Sequence, residues 1–86
     1  MQLLWEETAW EDYLYWQTQD KKTMKRINAL IKDMQRNLFE GIGKPEPLKG
    51  NCNGWWSRRI DEKNRIVYRE KDGVVIIASC KGHYND

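Results

Sequence analysis

Met24, Ile27, Leu30, Ile31, Met34 and Leu38 recur at the i, i+3, i+4, i+7 spacing of a single helical face. A helix with that stripe needs a cover for it, while Lys21, Lys22, Lys25, Arg26, Lys32 and Arg36 keep its other sides in water. The cover is in the second half of the chain, where three strand-like runs follow one another: Trp55–Ile60, Arg65–Glu70 and Val74–Cys80. The last is the most apolar and is expected at the centre of a sheet. Lys71-Asp72-Gly73 is a tight-turn signal, and Asp61-Glu62-Lys63-Asn64 joins the first two runs, so these strands are expected to be antiparallel.

The remaining segments complete an outline. Gln2–Trp5 reads as a short first strand. Thr8 is positioned to cap a helix that carries Trp10, Tyr13, Leu14 and Trp16 at helical spacing, with Trp10 expected in the core. Asp20 is positioned to cap the second helix, and Gly41 and Gly43 to end it. A short link makes the two helices antiparallel neighbours. Gly41–Gly54, rich in Gly, Pro and Asn, reads as a long loop. The expectation is an α+β fold of order β-α-α-β-β-β, a small antiparallel sheet with two N-terminal helices on one face. Eighty-six residues make this one domain, 1–86. Such a chain buries only about 60–65% of its unfolded surface, so its stability margin is modest.

No apolar run approaches the roughly 18–20 residues of a membrane span, and the N-terminus lacks the basic start and long apolar core of a signal peptide. The expectation is a cytoplasmic protein away from membranes. Cys52 and Cys80 have no C-x-x-C spacing, so Cys80 is expected to pack in a strand and Cys52 to sit in a loop, both unbridged. Net charge is only +2, but residues 1–42 carry −1 and residues 43–86 carry +3. The small excess of positive charge collects where the candidate site lies, as an anionic substrate favours.

A sheet under two helices has one covered and one open face. Ile60, Ile66 and Tyr68 share the parity of the covered face, and Arg59, Arg65 and Val67 point the other way. If the loop between the strands has three residues, Arg59 lies directly opposite Arg65. Like charges paired across strands destabilise a sheet unless an anion lies between them. Glu46, between Pro45 and Pro47, sits on a stiff extended segment that limits the entropy lost in positioning its carboxylate. His83, the only histidine, stands beside Tyr84 just after the apolar third run.

Cleaving RNA without a metal requires a base for a ribose 2′-hydroxyl, an acid for the departing 5′-oxygen, and cations for the charge on phosphorus. Glu46, His83 and Arg65, with Arg59 and Lys49, fill these roles by type. Glutamate is ionised at neutral pH, and a nearby phosphate raises the histidine pKa into range. No carboxylate cluster suggests magnesium and no ligand set suggests zinc, so no metal or cofactor is expected. Taken singly, each residue also fits a solvated loop or strand position.

The stretches Trp10-Glu11-Asp12-Tyr13-Leu14-Tyr15-Trp16, Gly43-Lys44-Pro45-Glu46-Pro47-Leu48-Lys49, Trp56-Ser57-Arg58-Arg59-Ile60, Arg65-Ile66-Val67-Tyr68 and His83-Tyr84 together resemble the YoeB-type toxins of the RelE superfamily. The resemblance spans nearly the whole chain. It implies cleavage of mRNA in the A site of the 30S ribosomal subunit, with Glu46 as general base, His83 as general acid and Arg65 as transition-state stabiliser. Tyr84 would orient the reacting nucleotide, and Lys49 and Arg59 would bind phosphate. Products would carry a 2′,3′-cyclic phosphate or 3′-phosphate and a 5′-hydroxyl. It further implies a homodimer, neutralisation by a YefM-like antitoxin, and contact with operator DNA through the antitoxin complex.

The chain departs from that pattern in three places. Lys63-Asn64 stands before Arg65 where the family commonly has Glu-His. Gly82 replaces a bulkier residue before His83, and Asn85-Asp86 extend past Tyr84. Asp86 and the terminal carboxylate place negative charge near an RNA site, so deleting Asn85 and Asp86 is expected to leave cleavage equal or higher, and a large loss on deletion refutes that expectation. On the residues alone two other readings stay open. One is a non-catalytic RNA-binding module. The other is an interaction protein whose Trp10, Tyr13 and Trp16 stripe docks an antitoxin.

Overall fold

In the computed structural model residues 1–82 are described, so His83 and Tyr84 lie outside the described residues. The elements run β1 (Gln2–Trp5), α1 (Glu7–Gln19), α2 (Lys21–Arg36), β2 (Glu46–Pro47), a short 3-10 turn (Gly50–Cys52), β3 (Trp56–Arg59), β4 (Arg65–Lys71) and β5 (Val74–Ser79). The sheet order is β1-β5-β4-β3-β2. As expected, β3, β4 and β5 pair antiparallel, and the fold is α+β with two helices. The sheet is mixed, because β1 joins the far side of β5 in parallel, with Leu3 against Val75 and Trp5 against Ile77. All the elements from α1 to β4 lie between these two strands in sequence, ample for the crossover of at least a dozen residues that a parallel pair needs. β5 is therefore interior, flanked by β1 and β4, while the middle strand of the five is β4.

The turn between β4 and β5 is Asp72-Gly73, with φ of 53° and 80°. This is the left-handed pair that a two-residue hairpin requires. The loop expected over Gly41–Gly54 contains a strand, because Glu46 pairs with Ser57 and Pro47 with Trp56. β2 is an edge strand, where proline's missing N–H costs no ladder bond.

Asp20 caps α2 as expected: its carboxylate accepts from Lys22 N at 3.0 Å, Thr23 N at 3.3 Å and Thr23 Oγ1 at 2.8 Å. These bonds, the Thr23 hydroxyl first, hold the Asp20 carboxyl below the usual range. Thr8 caps nothing. The N-cap of α1 is Glu6, without a side-chain bond, and Glu6 N donates instead to Ile77 O at 3.0 Å. The helix start is set by the sheet, and Thr8 falls inside the first turn. α2 ends at Arg36, well before Gly41 and Gly43. The carbonyls beyond the helix end, those of Asn37, Glu40 and Ile42, accept from Arg58 instead of from helical N–H groups.

The core lies between the helices and one sheet face: Ala9 from α1, Ile27, Leu30, Ile31 and Met34 from α2, and Ile60, Ile66, Tyr68, Val75, Ile77 and Cys80 from the sheet side. Trp10 is not in it. The residue is 45% exposed and packs at the surface against Trp5 and Tyr13. Both cysteines are free: Cys80 is fully buried but lies one residue past the end of β5 and not within a strand, and Cys52 lies in the 3-10 turn. Burial, followed by the Asp12 charge, pushes the Cys80 thiol up to about 12, so it stays protonated and inert. No helix among the described residues is long and apolar enough to cross a membrane.

Gly43 has φ +81°, and a Cβ there would lie 2.6 Å from Leu30 Cδ2 and 3.2 Å from both Arg58 Cβ and Arg59 O. Gly43→Ala is therefore expected to lose about 2–4 kcal/mol through overpacking and left-handed strain. Urea unfolding checks this, with a lower midpoint at unchanged m.

Candidate active site

Register decides which side chains meet. Arg59 lies opposite Arg65, Ser57 opposite Val67, and Glu46 opposite Ser57. All belong to the face turned away from the helices, whereas Ile60, Ile66 and Tyr68 sit in the core, as their parity predicts. The open face is not bare: Leu48 and Val67 are buried yet stand outside the helix-side core. Together they form a small apolar floor under the polar groups.

On this floor Arg65 Nη1 donates to Glu46 Oε1 at 2.7 Å and to Ser57 Oγ at 3.1 Å. The Arg65 side chain is only 18% exposed, against 48% for Glu46. The arginine is thus the fixed member of the pair, and the carboxylate reaches it from the edge strand. The Arg65 hydrogen bond is the largest influence on the Glu46 carboxyl and holds it below the usual range. The charges of Arg65, Arg59 and Lys44 act in the same direction, against the opposing effect of partial burial. In the absence of substrate, Glu46 is therefore the anion that relieves the Arg59–Arg65 repulsion.

Of the expected site residues, the fold brings together Glu46, Arg59 and Arg65. Lys49 is exposed at the start of the 3-10 turn, and its side chain makes no hydrogen bond or ion pair with those three. Lys44, which no motif argument singled out, bears on Glu46 instead and adopts a left-handed φ of 50°. Ser57 was also missed, although it shares parity with Arg59; fully buried, it orients Arg65. Among the described residues no group of His, Cys, Asp and Glu forms a metal-ligand set.

Two of the departures noted in the sequence meet each other at this site. Gly82 N donates to Asn64 Oδ1 at 2.9 Å, and Arg65 N donates to Gly82 O at 3.0 Å. Asn64 Nδ2 in turn reaches both oxygens of Asp61, at 3.2 and 3.1 Å. From the helix side Trp16 Nε1 donates to Cys80 O at 2.9 Å and Cys80 N to Asp12 Oδ2 at 3.0 Å. The chain from Cys80 to Gly82 is pinned from both sides, and its end is delivered beside Arg65.

Arg58 is the residue that sequence reasoning treated only as part of a motif. It is fully buried on the helix side of β3. Its Nε donates to Tyr68 Oη at 3.1 Å, Nη1 to Asp33 Oδ2 at 2.6 Å and Ile42 O at 3.2 Å, and Nη2 to Asn37 O at 2.5 Å and Glu40 O at 2.8 Å. All five guanidinium donors are thus used. Tyr68 Oη in turn donates to Leu38 O at 2.7 Å. The guanidinium serves as the hydrogen-bonding centre of the 37–42 loop, which has no ladder of its own. Alternation in Trp56–Arg59 was the available signal, since Arg58 shares parity with the core-facing Ile60.

Chains of known kind share both the sequence and the fold. Residues 5–84 match the family of the YoeB-like toxin of the bacterial type II toxin–antitoxin system. Toxin YoeB of Escherichia coli K12 is 57% identical over 84 residues, covering 98% of this chain and all of the relative. The YoeB/ParE toxin from Agrobacterium tumefaciens superposes with a TM-score of 0.93 at 44% identity, over 98% of this chain and 100% of its own. YoeB of Staphylococcus aureus, solved as a dimer, superposes at 0.91 and 49% identity over 98% of both chains. YoeB of Staphylococcus aureus in a heterotetrameric YoeB–YefM complex gives 0.89 and 49%, again over 98% of both. With identity of this order along nearly its full length, the chain belongs to the YoeB-like toxins of bacterial type II toxin–antitoxin systems.

Proposed function

We propose that this chain is a ribosome-dependent endoribonuclease that cleaves mRNA in the A site and so inhibits translation. The observation that carries the reading is the Glu46–Arg65 pair at 2.7 Å with Arg59 directly opposite Arg65, on the sheet face that the helices leave open. A carboxylate base and two guanidinium groups at one point are what in-line attack on a phosphodiester requires.

Glu46 takes the proton of the ribose 2′-hydroxyl. The 2′-oxygen attacks the adjacent phosphorus, and Arg65, with Arg59, balances the charge that builds on the non-bridging oxygens. His83 gives its proton to the departing 5′-oxygen, leaving a 2′,3′-cyclic phosphate or its 3′-phosphate hydrolysis product and a 5′-hydroxyl. Tyr84 orients the reacting nucleotide, and Lys49 holds a neighbouring phosphate. The arriving phosphate competes with Glu46 for Arg65. As Arg65 turns to it, the main cause of the low Glu46 pKa is removed and the base strengthens when it is needed. The acid–base route needs no metal or cofactor. Few groups on the open face can read bases, so the ribosome supplies much of the substrate positioning.

The remaining parts of the reading rest on relatives. The Staphylococcus aureus toxin forms a dimer and a complex with YefM. By likeness this single-domain chain acts in the cytoplasm as a homodimer, is neutralised by a YefM-like antitoxin, and reaches operator DNA through that complex. Exposed Trp10, Leu14 and Tyr15 on α1 suit a protein partner, a role that coexists with catalysis.

The test is primer-extension mapping on programmed ribosomes. Wild type is expected to cut within the A-site codon, and folded Glu46→Gln and His83→Gln to lose the cut. A folded wild type that leaves the mRNA intact overturns the reading. Asn64→Ala removes the Gly82 clip and is expected to slow cleavage roughly tenfold to a hundredfold, because small misplacements beside the reacting groups are costly. Single-turnover rates alongside melting curves check that the loss exceeds any change in folding.

A further inference from the structure

Arg69 Nε is the one buried side-chain donor or acceptor among the described residues without a partner. The guanidinium carbon of Arg69 lies 5.3 Å from the centre of the Trp55 ring, so the cation rests on the indole. No carboxylate among the described residues pairs with it, and the neighbouring Glu70 is taken by Gly73 N at 2.8 Å. Arg69 is half-buried, with Nε closed off from solvent and no hydrogen bond from either Nη among the described residues, so it is a cation held in place whose Nη edge is left for a ligand.

Its position follows from register. Arg69 shares parity with Arg65 and Val67 along β4, and Trp55, the residue before β3, shares parity with Ser57 and Arg59. Trp56 pairs with Tyr68, which makes Trp55 and Arg69 the next neighbours outward. The stack therefore stands on the same open face as Glu46 and Arg65. Four residues of β4, roughly 13 Å at strand rise, separate it from Arg65. A short stretch of extended RNA covers that span. A flat guanidinium on an indole suits such a strand in two ways: its N–H edge takes a phosphate, and the stacked pair offers a platform beside a base.

Resting on the nuclease reading above, we propose that Arg69, seated on Trp55, is a second RNA-contact subsite that takes a backbone phosphate of the substrate strand away from the cleaved position. It contributes binding and register, and takes no part in proton transfer.

The experiment is single-turnover cleavage on programmed ribosomes with protein concentration titrated, for wild type, Arg69→Ala and Arg69→Lys, with melting curves for each. Arg69→Ala is expected to raise the half-saturating concentration about fivefold to tenfold, as for one lost charge-assisted phosphate contact, with the plateau rate within about twofold. The slope of log affinity against log salt should fall by about 0.7, and Arg69→Lys should restore most of the loss at low salt. A purely structural arginine would shift the melting curve and leave half-saturation and salt slope alone. Cleavage by both proteins with equal half-saturation and equal salt slope overturns the proposal and leaves the nuclease reading standing. Should folded wild type not cleave, the nuclease reading falls, and anisotropy with a 2′-O-methyl oligonucleotide decides the subsite. Weaker binding by Arg69→Ala then supports it, and equal binding overturns it. An effect of Arg69→Ala confined to antitoxin affinity also overturns it, in favour of a protein ligand.

Discussion

Arg58→Met is expected to cost about 3–5 kcal/mol, because a fully buried guanidinium loses five hydrogen bonds worth about 1 kcal/mol each. For a domain of this size that is a large share of the total, since folded chains hold only about 0.05–0.15 kcal/mol per residue. At roughly 4–8 °C per kcal/mol, the melting temperature should fall by about 12 °C or more. The cause is the number of acceptors left behind. Methionine fills much of the volume but abandons the Asp33 carboxylate and the carbonyls of Asn37, Glu40 and Ile42. Lysine should not rescue, because three donors on a point charge cannot serve acceptors arranged around a planar fork. Adding Asp33→Leu to Arg58→Met removes the stranded charge but not the stranded carbonyls, so recovery should be partial. Full recovery in thermal or urea unfolding would falsify this account of the loop.

The same cluster sets an acid dependence. Asp33 has its carboxyl held below the ordinary range, first by the Arg58 hydrogen bond and then by the Ile42 N–H. A carboxylate depressed in the folded state contributes stability that is present above its unfolded pKa and is lost as pH falls through the folded value. The loss therefore belongs below about pH 4, and neutral-pH stability should be flat with respect to Asp33.

Arg65→Ala should have the larger effect on activity. Removing a preorganised cation from the developing phosphorane is expected to lower the single-turnover rate about a hundredfold to a thousandfold. A second consequence separates this from a folding defect. Arg65 is the main cause of the lowered Glu46 carboxyl, so in Arg65→Ala that carboxyl returns toward its ordinary value. The acid limb of the kcat/KM–pH profile, which reports the free protein, should move to higher pH, while the alkaline limb, assigned to His83, stays in place. A reduced rate with an unmoved acid limb would separate Glu46 from the role of base. Ser57→Ala removes only the 3.1 Å bond that orients Arg65, so its effect should have the same sign and be smaller.

The two predictions differ in how much of them was legible in the chain. Strand parity placed Arg59 and Arg65 on the open face, because a side-chain period of two leaves no other assignment once Ile60, Ile66 and Tyr68 face the core, whereas their facing each other hung on the loop length and was settled by the register. The amphipathic face of α2, its Asp20 cap and the Asp72-Gly73 hairpin were likewise local facts, each decided by a few neighbouring residues. Glu46 was recognised as a stiffly held carboxylate, but its pairing with Ser57, and hence its reach to Arg65, depends on an edge strand of only two residues that no periodicity announces.

What only the tertiary structure decided involves partners far apart in sequence. Arg58 binds atoms 16 to 25 residues earlier in the chain, and α2 ends at Arg36 instead of at the glycines. Glu6 N takes Ile77 O, which leaves Thr8 without a capping role. β1 closes the sheet in parallel on β5, and Trp10 remains at the surface although its spacing suits a core. Local propensity and pattern settle which elements form and which faces are apolar, because those depend on near neighbours. Where a helix stops, which arginine is buried and which is free to meet a phosphate depend on which distant acceptors the folded chain brings within hydrogen-bonding reach.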